Sequence, residues 1–133
     1  YSLVAAQPRL LGAAARVRSL GAVDEDERIL DAGPESVERL CRAMANSKTL
    51  IWNGPLGVFE IPPFDKGTMT AAHFAAELVR EGKLVAVAGG GDTVAALNAA
   101  GCAEDFTFVS TAGGAFLEWM EGKQLPGVAA LAN

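Results

Sequence analysis

Short apolar runs alternate with longer amphipathic stretches along most of this chain, and three of the runs end in a glycine-bearing turn. Lys48 to Trp52 reads KTLIW and stops at Asn53-Gly54-Pro55, a strong chain breaker. Lys83 to Ala88 reads KLVAVA and enters Gly89-Gly90-Gly91-Asp92, while Phe106 to Ser110 reads FTFVS and enters Thr111-Ala112-Gly113-Gly114. The runs are continuously apolar instead of alternating, the pattern of strands buried on both faces of a parallel sheet. Helices are expected between them. Pro34 suits a first helical turn, where its missing N–H costs nothing, and Val37, Leu40, Cys41 and Met44 follow at helical spacing. Asp65 to Glu81 predicts a long helix with Met69, Ala72, Ala76 and Val79 on one face and Gly82 closing it. Asp92 is expected to cap a helix through Asn98, stopped by Gly101, and a further helix is expected to run to about Glu121, stopped by Gly122. The expected fold class is α/β, a partial domain of the three-layer αβα, Rossmann-like kind with a parallel sheet.

At 133 residues the chain amounts to about one domain. It opens on Tyr1 and its first methionine is Met44, so it reads as a piece of something longer. Residues 1–23 are the least legible: Arg9, Arg16 and Arg18 stand without an acid before Asp24, and Ala13-Ala14-Ala15 breaks any strand pattern. They read as a strand-and-loop remnant of a larger domain, with an organelle transit segment as the weaker alternative. The 11 basic and 16 acidic residues leave a net charge of −5, which argues against a nucleic-acid partner. No apolar run approaches the ~20 residues of a membrane span, so no membrane partner is expected. Cys41 and Cys102 have no CxxC spacing, which makes a reducing compartment the default.

In a parallel sheet the three glycine turns share the carboxyl edge, where open α/β sheets bind ligands. Two of them also open helices, whose N-termini offer unpaired N–H groups and partial positive charge to a phosphate. An acidic chain can therefore still hold a nucleotide polyphosphate. Other chemistries fail on spacing. The chain has no G-x-x-x-x-G-K-[ST], no G-x-G-x-x-G and no G-x-S-x-G. With one histidine and two distant cysteines, a zinc site is not expected.

The string WNGPLGVFE at 52–60, GGGDT at 89–93 and STAGGAFLEWMEGKQLPGV at 110–128 resemble phosphoglycerate kinase in order and spacing. The resemblance runs from about Ile29 to the end and departs at Ala112, where the family usually has glycine. It implies that residues 29–133 are the C-terminal half of a nucleotide-binding domain and 1–28 a poorly matched remnant of the same domain. The implied activity is glycolytic phosphoryl transfer between 1,3-bisphosphoglycerate and ADP, giving 3-phosphoglycerate and ATP, in a cytoplasmic and monomeric parent. The family pattern puts Asn53, Gly54 and Pro55 along the adenine pocket and Glu60 on the ribose hydroxyls. Gly90, Gly91, Asp92 and Thr93 border the nucleotide phosphates, with Asp92 reaching a magnesium ion. Gly113 and Gly114 are the catalytic positions, opening a helix aimed at the transferring phosphate. The family's acid-substrate domain and the lysine that contacts the nucleotide phosphates have no counterpart here, so the chain alone is expected to be inactive.

Blander roles stand beside these. Asp92 can serve as a helix cap alone, and Glu60 as a loop acid. His73 reads as structural or solvent-facing, Cys41 as core, Cys102 as a partly exposed thiol, and Trp52 and Trp119 as packing groups. The rival functions are a stand-alone, non-catalytic nucleotide-binding module and, less consistent with the motifs, a nicotinamide-dependent oxidoreductase.

Overall fold

The computed structural model describes residues 2–6, 15–112, 117–118, 120–124 and 130. Strands β1 (Ser2–Ala6), β2 (Arg16–Ser19) and β3 (Arg28–Ala32) precede helix α1 (Pro34–Ala45) and strand β4 (Thr49–Asn53). Helix α2 (Lys66–Arg80), strand β5 (Val85–Gly89), helix α3 (Gly91–Ala99), a 3-10 turn (Ala103–Asp105) and strand β6 (Phe108–Ser110) complete the order.

The continuous apolar runs form the parallel sheet they predict, in the order β4-β5-β6. Alanines set its packing. Ala71, Ala72, Ala75 and Ala76 of α2 and Ala86 and Ala88 of β5 are fully buried, so helix and sheet approach closely, with Trp52, Leu84, Leu97 and Phe106 filling the space around them. The buried face of α2 is shifted from the expected one: Ala72 and Ala76 lie on it, whereas Met69 and Val79 are only half-buried and Leu78 is covered. In α1, Val37 and Met44 are buried as expected, Cys41 is half-buried and Leu40 is exposed. Cys102 differs from expectation. It is 3% exposed, because it follows the closing turn of α3 inward, and burial first and then Asp105 push its thiol pKa up. The expected closing turns form: the Gly82 N–H donates to Val79 O at 2.9 Å and the Gly101 N–H to Asn98 O at 3.0 Å. Leu117, Glu118 and Met120 are helical, and Gly122 follows with positive φ. The rest of that helix, Trp119 included, lies outside the described residues.

The opening segment folds into something the periodicity did not reveal. β1, β2 and β3 make a separate antiparallel sheet in the order β2-β1-β3. Its job in the architecture is to finish helices it does not belong to. α1 begins after Gly33, which has no side chain to cap it; the Ser2 hydroxyl accepts from the Glu35 N–H at 2.9 Å instead. The Ser36 hydroxyl returns a bond to Ser2 O at 2.6 Å. A residue 33 positions away in sequence thus does what an N-cap serine normally does locally.

One face of the parallel sheet is uncovered by the described residues: Ile51, Val85 and Phe108 are 43%, 48% and 56% exposed. Ser2→Ala removes the α1 cap without touching this sheet. It is expected to lower the unfolding free energy by about 1 kcal/mol, read as a lower denaturant midpoint at unchanged slope; an unmoved midpoint would show that water replaces the serine.

Candidate nucleotide site

Parallel register brings the carboxyl ends of the three strands level: Asn53 pairs with Gly89, and Gly89 with Ser110. Two hydrogen bonds then lash the turns together beyond the last ladder pair. The Gly54 N–H donates to the Thr93 hydroxyl at 2.6 Å, and the Gly90 N–H donates to Ser110 O at 2.9 Å. Gly54 and Gly90 have φ of 93° and 102°, a region where a Cβ is strained, which is why these turns carry glycine. The Trp52 indole N–H donates to Gly54 O at 2.6 Å, so the tryptophan packs against Phe106 and also holds the turn.

α3 starts directly on this edge. Gly90 is its N-cap, and Val94 N–H donates to Gly90 O at 2.9 Å. Asp92 therefore does not cap the helix, as the sequence suggests it would. It sits one residue inside the first turn with an exposed side chain and no capping hydrogen bond. That placement frees both carboxylate oxygens while keeping the negative charge near the positive end of the helix dipole. Thr93 is 1% exposed, its hydroxyl engaged by Gly54. Asn53 and Glu60 are exposed, and Gly54 and Pro55 are half-buried. Gly113 and Gly114 lie outside the described residues. Among the described residues no group of three or more His, Cys, Asp or Glu is placed to cage a metal. A magnesium ion here would have Asp92 as a protein carboxylate and take other oxygens from phosphates and water, a donor set that suits this ion.

The loop joining β4 to α2 is held from below by a residue the motifs did not single out. Asp31 is 2% exposed, backbone and side chain together. Its Oδ2 accepts from the Gly67 N–H at 2.8 Å, at the open N-terminus of α2, and its Oδ1 accepts from the Ala32 N–H at 2.8 Å. Burial raises its pKa above the ordinary value of 3.8, and the two N–H bonds oppose that rise without cancelling it. A raised folded-state pKa means that the folded chain binds the proton more tightly than the unfolded chain. Stability from this group is thus fullest below 3.8 and falls as pH rises through the raised value. Beside Asp31 lies an apolar cavity of about 350 Å³, lined by Leu3, Leu30, Pro55, Leu56 and Val58 among others. A larger cavity, about 550 Å³, opens among Val4, Val17, Val37, Pro63 and Thr70. It contains no residue of the glycine turns.

His73 is exposed, with Nε2 2.7 Å from Ala100 O, a structural contact between α2 and the end of α3. No helix among the described residues is long and apolar enough to cross a membrane.

Fold and edge together define an α/β partial domain with level strand ends at the carboxyl edge of its parallel sheet. The family model of phosphoglycerate kinase matches residues 3–123, and the chain belongs to that family. The match takes in the opening strands that the motifs did not reach. Phosphoglycerate kinase of Caulobacter vibrioides is 72% identical over 120 residues, covering 90% of this chain and 30% of that protein. That of Agrobacterium fabrum is 59% identical over 128 residues, 96% of this chain and 32% of the relative. The solved phosphoglycerate kinase of Coxiella burnetii superposes with a TM-score of 0.85 at 40% identity, over 96% of this chain and 32% of its own. The Pyrococcus horikoshii enzyme gives 0.81 at 25% identity, over 98% of this chain and 31% of its own. The chain thus spans about a third of the length of the relatives it matches.

Thr93→Val keeps the side-chain shape but leaves the Gly54 N–H without its acceptor. Leaving that part-buried bond unmade is expected to cost about 1–3 kcal/mol, measured by chemical denaturation. A loss under about 0.5 kcal/mol, the range of ordinary surface substitutions, would contradict the lashing of the two turns.

Proposed function

We propose that this segment supplies the nucleotide side of a phosphoglycerate kinase about three times its length. There it takes part in reversible phosphoryl transfer between 1,3-bisphosphoglycerate and ADP in cytoplasmic glycolysis. The observation that carries this reading is the level edge: three strand ends in register, two turns lashed to one another, and a helix opening on Gly90-Gly91. Such an edge presents backbone donors to phosphates and needs no lysine to do so.

On this reading Pro55 and the apolar cavity beside it seat the purine, with Asn53 and Gly54 leading into Pro55 from the end of β4. Glu60, exposed in the same loop, accepts from the ribose hydroxyls. Gly91 faces the phosphates through its N–H, Gly90 borders them with its bare Cα while its own N–H is held by Ser110 O, and Thr93 acts by holding Gly54 in place. Asp92 would hold the magnesium ion, which when bound offsets charge on the nucleotide phosphates. Gly113 and Gly114 would open a second helix toward the transferring phosphoryl group. Transfer of this kind asks for positioning and charge stabilisation, not a covalent nucleophile. The acid substrate, 3-phosphoglycerate or 1,3-bisphosphoglycerate, would be bound by the part of the longer protein that this segment lacks. Ile51, Val85 and Phe108 offer an apolar face for that remainder to cover. The segment alone, holding one substrate of two, has no turnover.

Asp92→Asn in a full-length kinase carrying this segment tests the reading. Loss of the charge from the first turn of α3 changes stability by less than about 1 kcal/mol. Turnover at limiting magnesium is expected to fall by about tenfold or more, the rate equivalent of roughly 1.4 kcal/mol. Unchanged turnover at limiting magnesium would remove Asp92 from the metal site.

A further inference from the structure

We propose that Asp31 is the positioning residue of the nucleotide site: through Gly57 and Gly67 it fixes how far the β4–α2 loop stands from β3, and so the width of the slot beside Pro55. The proposal rests on the nucleotide reading above and adds to it a residue that meets no ligand. The carboxylate is sealed from solvent, so it can act only through the backbone it grips.

The grip is tight on two sides. A Cβ placed on Gly57 would lie 2.5 Å from Asp31 Oδ1 and 2.6 Å from Leu30 O; one on Gly67 would lie 2.5 Å from the same Oδ1. Only bare Cα atoms fit against this carboxylate, which makes it a spacer between the loop and the start of α2. The neighbouring Val58 N–H donates to Leu30 O at 2.9 Å, adding a rung that pins the loop to β3. Leu30 and Asp31 on one side, and Pro55, Leu56, Gly57 and Val58 on the other, are the walls of the slot. Moving the spacer therefore moves one wall against the other while leaving the β4-β5-β6 edge alone. The Asp31 oxygens also meet both amides that need them. An amide side chain of the same shape offers one acceptor oxygen and one N–H group, so either Gly67 or Ala32 faces a donor.

The test is ADP binding and steady-state kinetics in a full-length kinase carrying this segment, with Asp31→Asn, Gly57→Ala and Val37→Ala. Each variant is measured at a temperature where circular dichroism shows it folded. Asp31→Asn and Gly57→Ala are expected to raise the ADP Kd and the ADP KM by about tenfold, with the KM for the acid substrate within about twofold of the parent's. Val37→Ala removes buried methyl groups from α1, outside the walls of the slot beside Pro55, and is expected to lower the melting temperature with the ADP Kd unchanged. That split separates positioning from general loss of stability. Should Asp31→Asn fail to fold, Gly57→Ala carries the same readout with the carboxylate retained. ADP affinity within twofold of the parent in the folded loop variants, or an equal loss in Val37→Ala, overturns the role of Asp31. A parent that itself binds no ADP overturns the nucleotide reading, and this proposal with it.

Discussion

A single buried carboxylate joins the two sheets of this molecule. Asp31 belongs to the antiparallel sheet, yet its oxygens close the N-terminus of α2, the helix that covers the parallel sheet. A charge out of water is costly unless its lone pairs are filled. Two backbone N–H groups offset part of that cost here, one on each oxygen, and one of them comes from a helix end that would otherwise be orphaned. The same cost shows as the raised pKa of the group. Because Gly57 and Gly67 both press against it, the β4–α2 loop takes its height from this one side chain.

Ser2 repeats the device at α1. Strand β1 lends a hydroxyl to a helix that begins after Gly33, and in return α1 covers the strand. The opening strands are thus part of how the helices are terminated, not an appendage. On the other side of the molecule, alanine at the helix–sheet contact lets α2 lie close to β5 and keeps the strand ends, and hence the turns, level.

The parts legible in sequence are those governed by local pattern. Apolar runs at KTLIW and KLVAVA announce β4 and β5, Pro34 announces the start of α1, and Gly82 and Gly101 announce helix ends. The family motifs marked the same three turns. What was not legible depends on long-range partners. β2, with its sequence RVRS and mostly exposed side chains, has no apolar periodicity to read. Asp31 looks like any acid in RILDAGP, since Gly67 lies 36 residues on. The closest available signal was the glycine pair: Gly57 and Gly67 sit where turn chemistry alone does not explain both. Asp92 was misplaced as a cap because an acid after a glycine run has the sequence of one; the flexible Gly90 takes that position first. Cys102 was expected to be partly exposed because it follows a helix stop, but it is buried there.

On the proposed reading, ligand chemistry resides at the level edge of the parallel sheet and not in the larger apolar cavity. Amide chemical-shift mapping of the full-length protein with magnesium and ADP tests this most directly. The amide signals of Gly54, Gly90 and Gly91 are expected to shift with a common saturation curve while those of Val17 and Val37 stay in place. Shifts centred on Val4, Val17 and Val37, with the glycine turns unmoved, would contradict it.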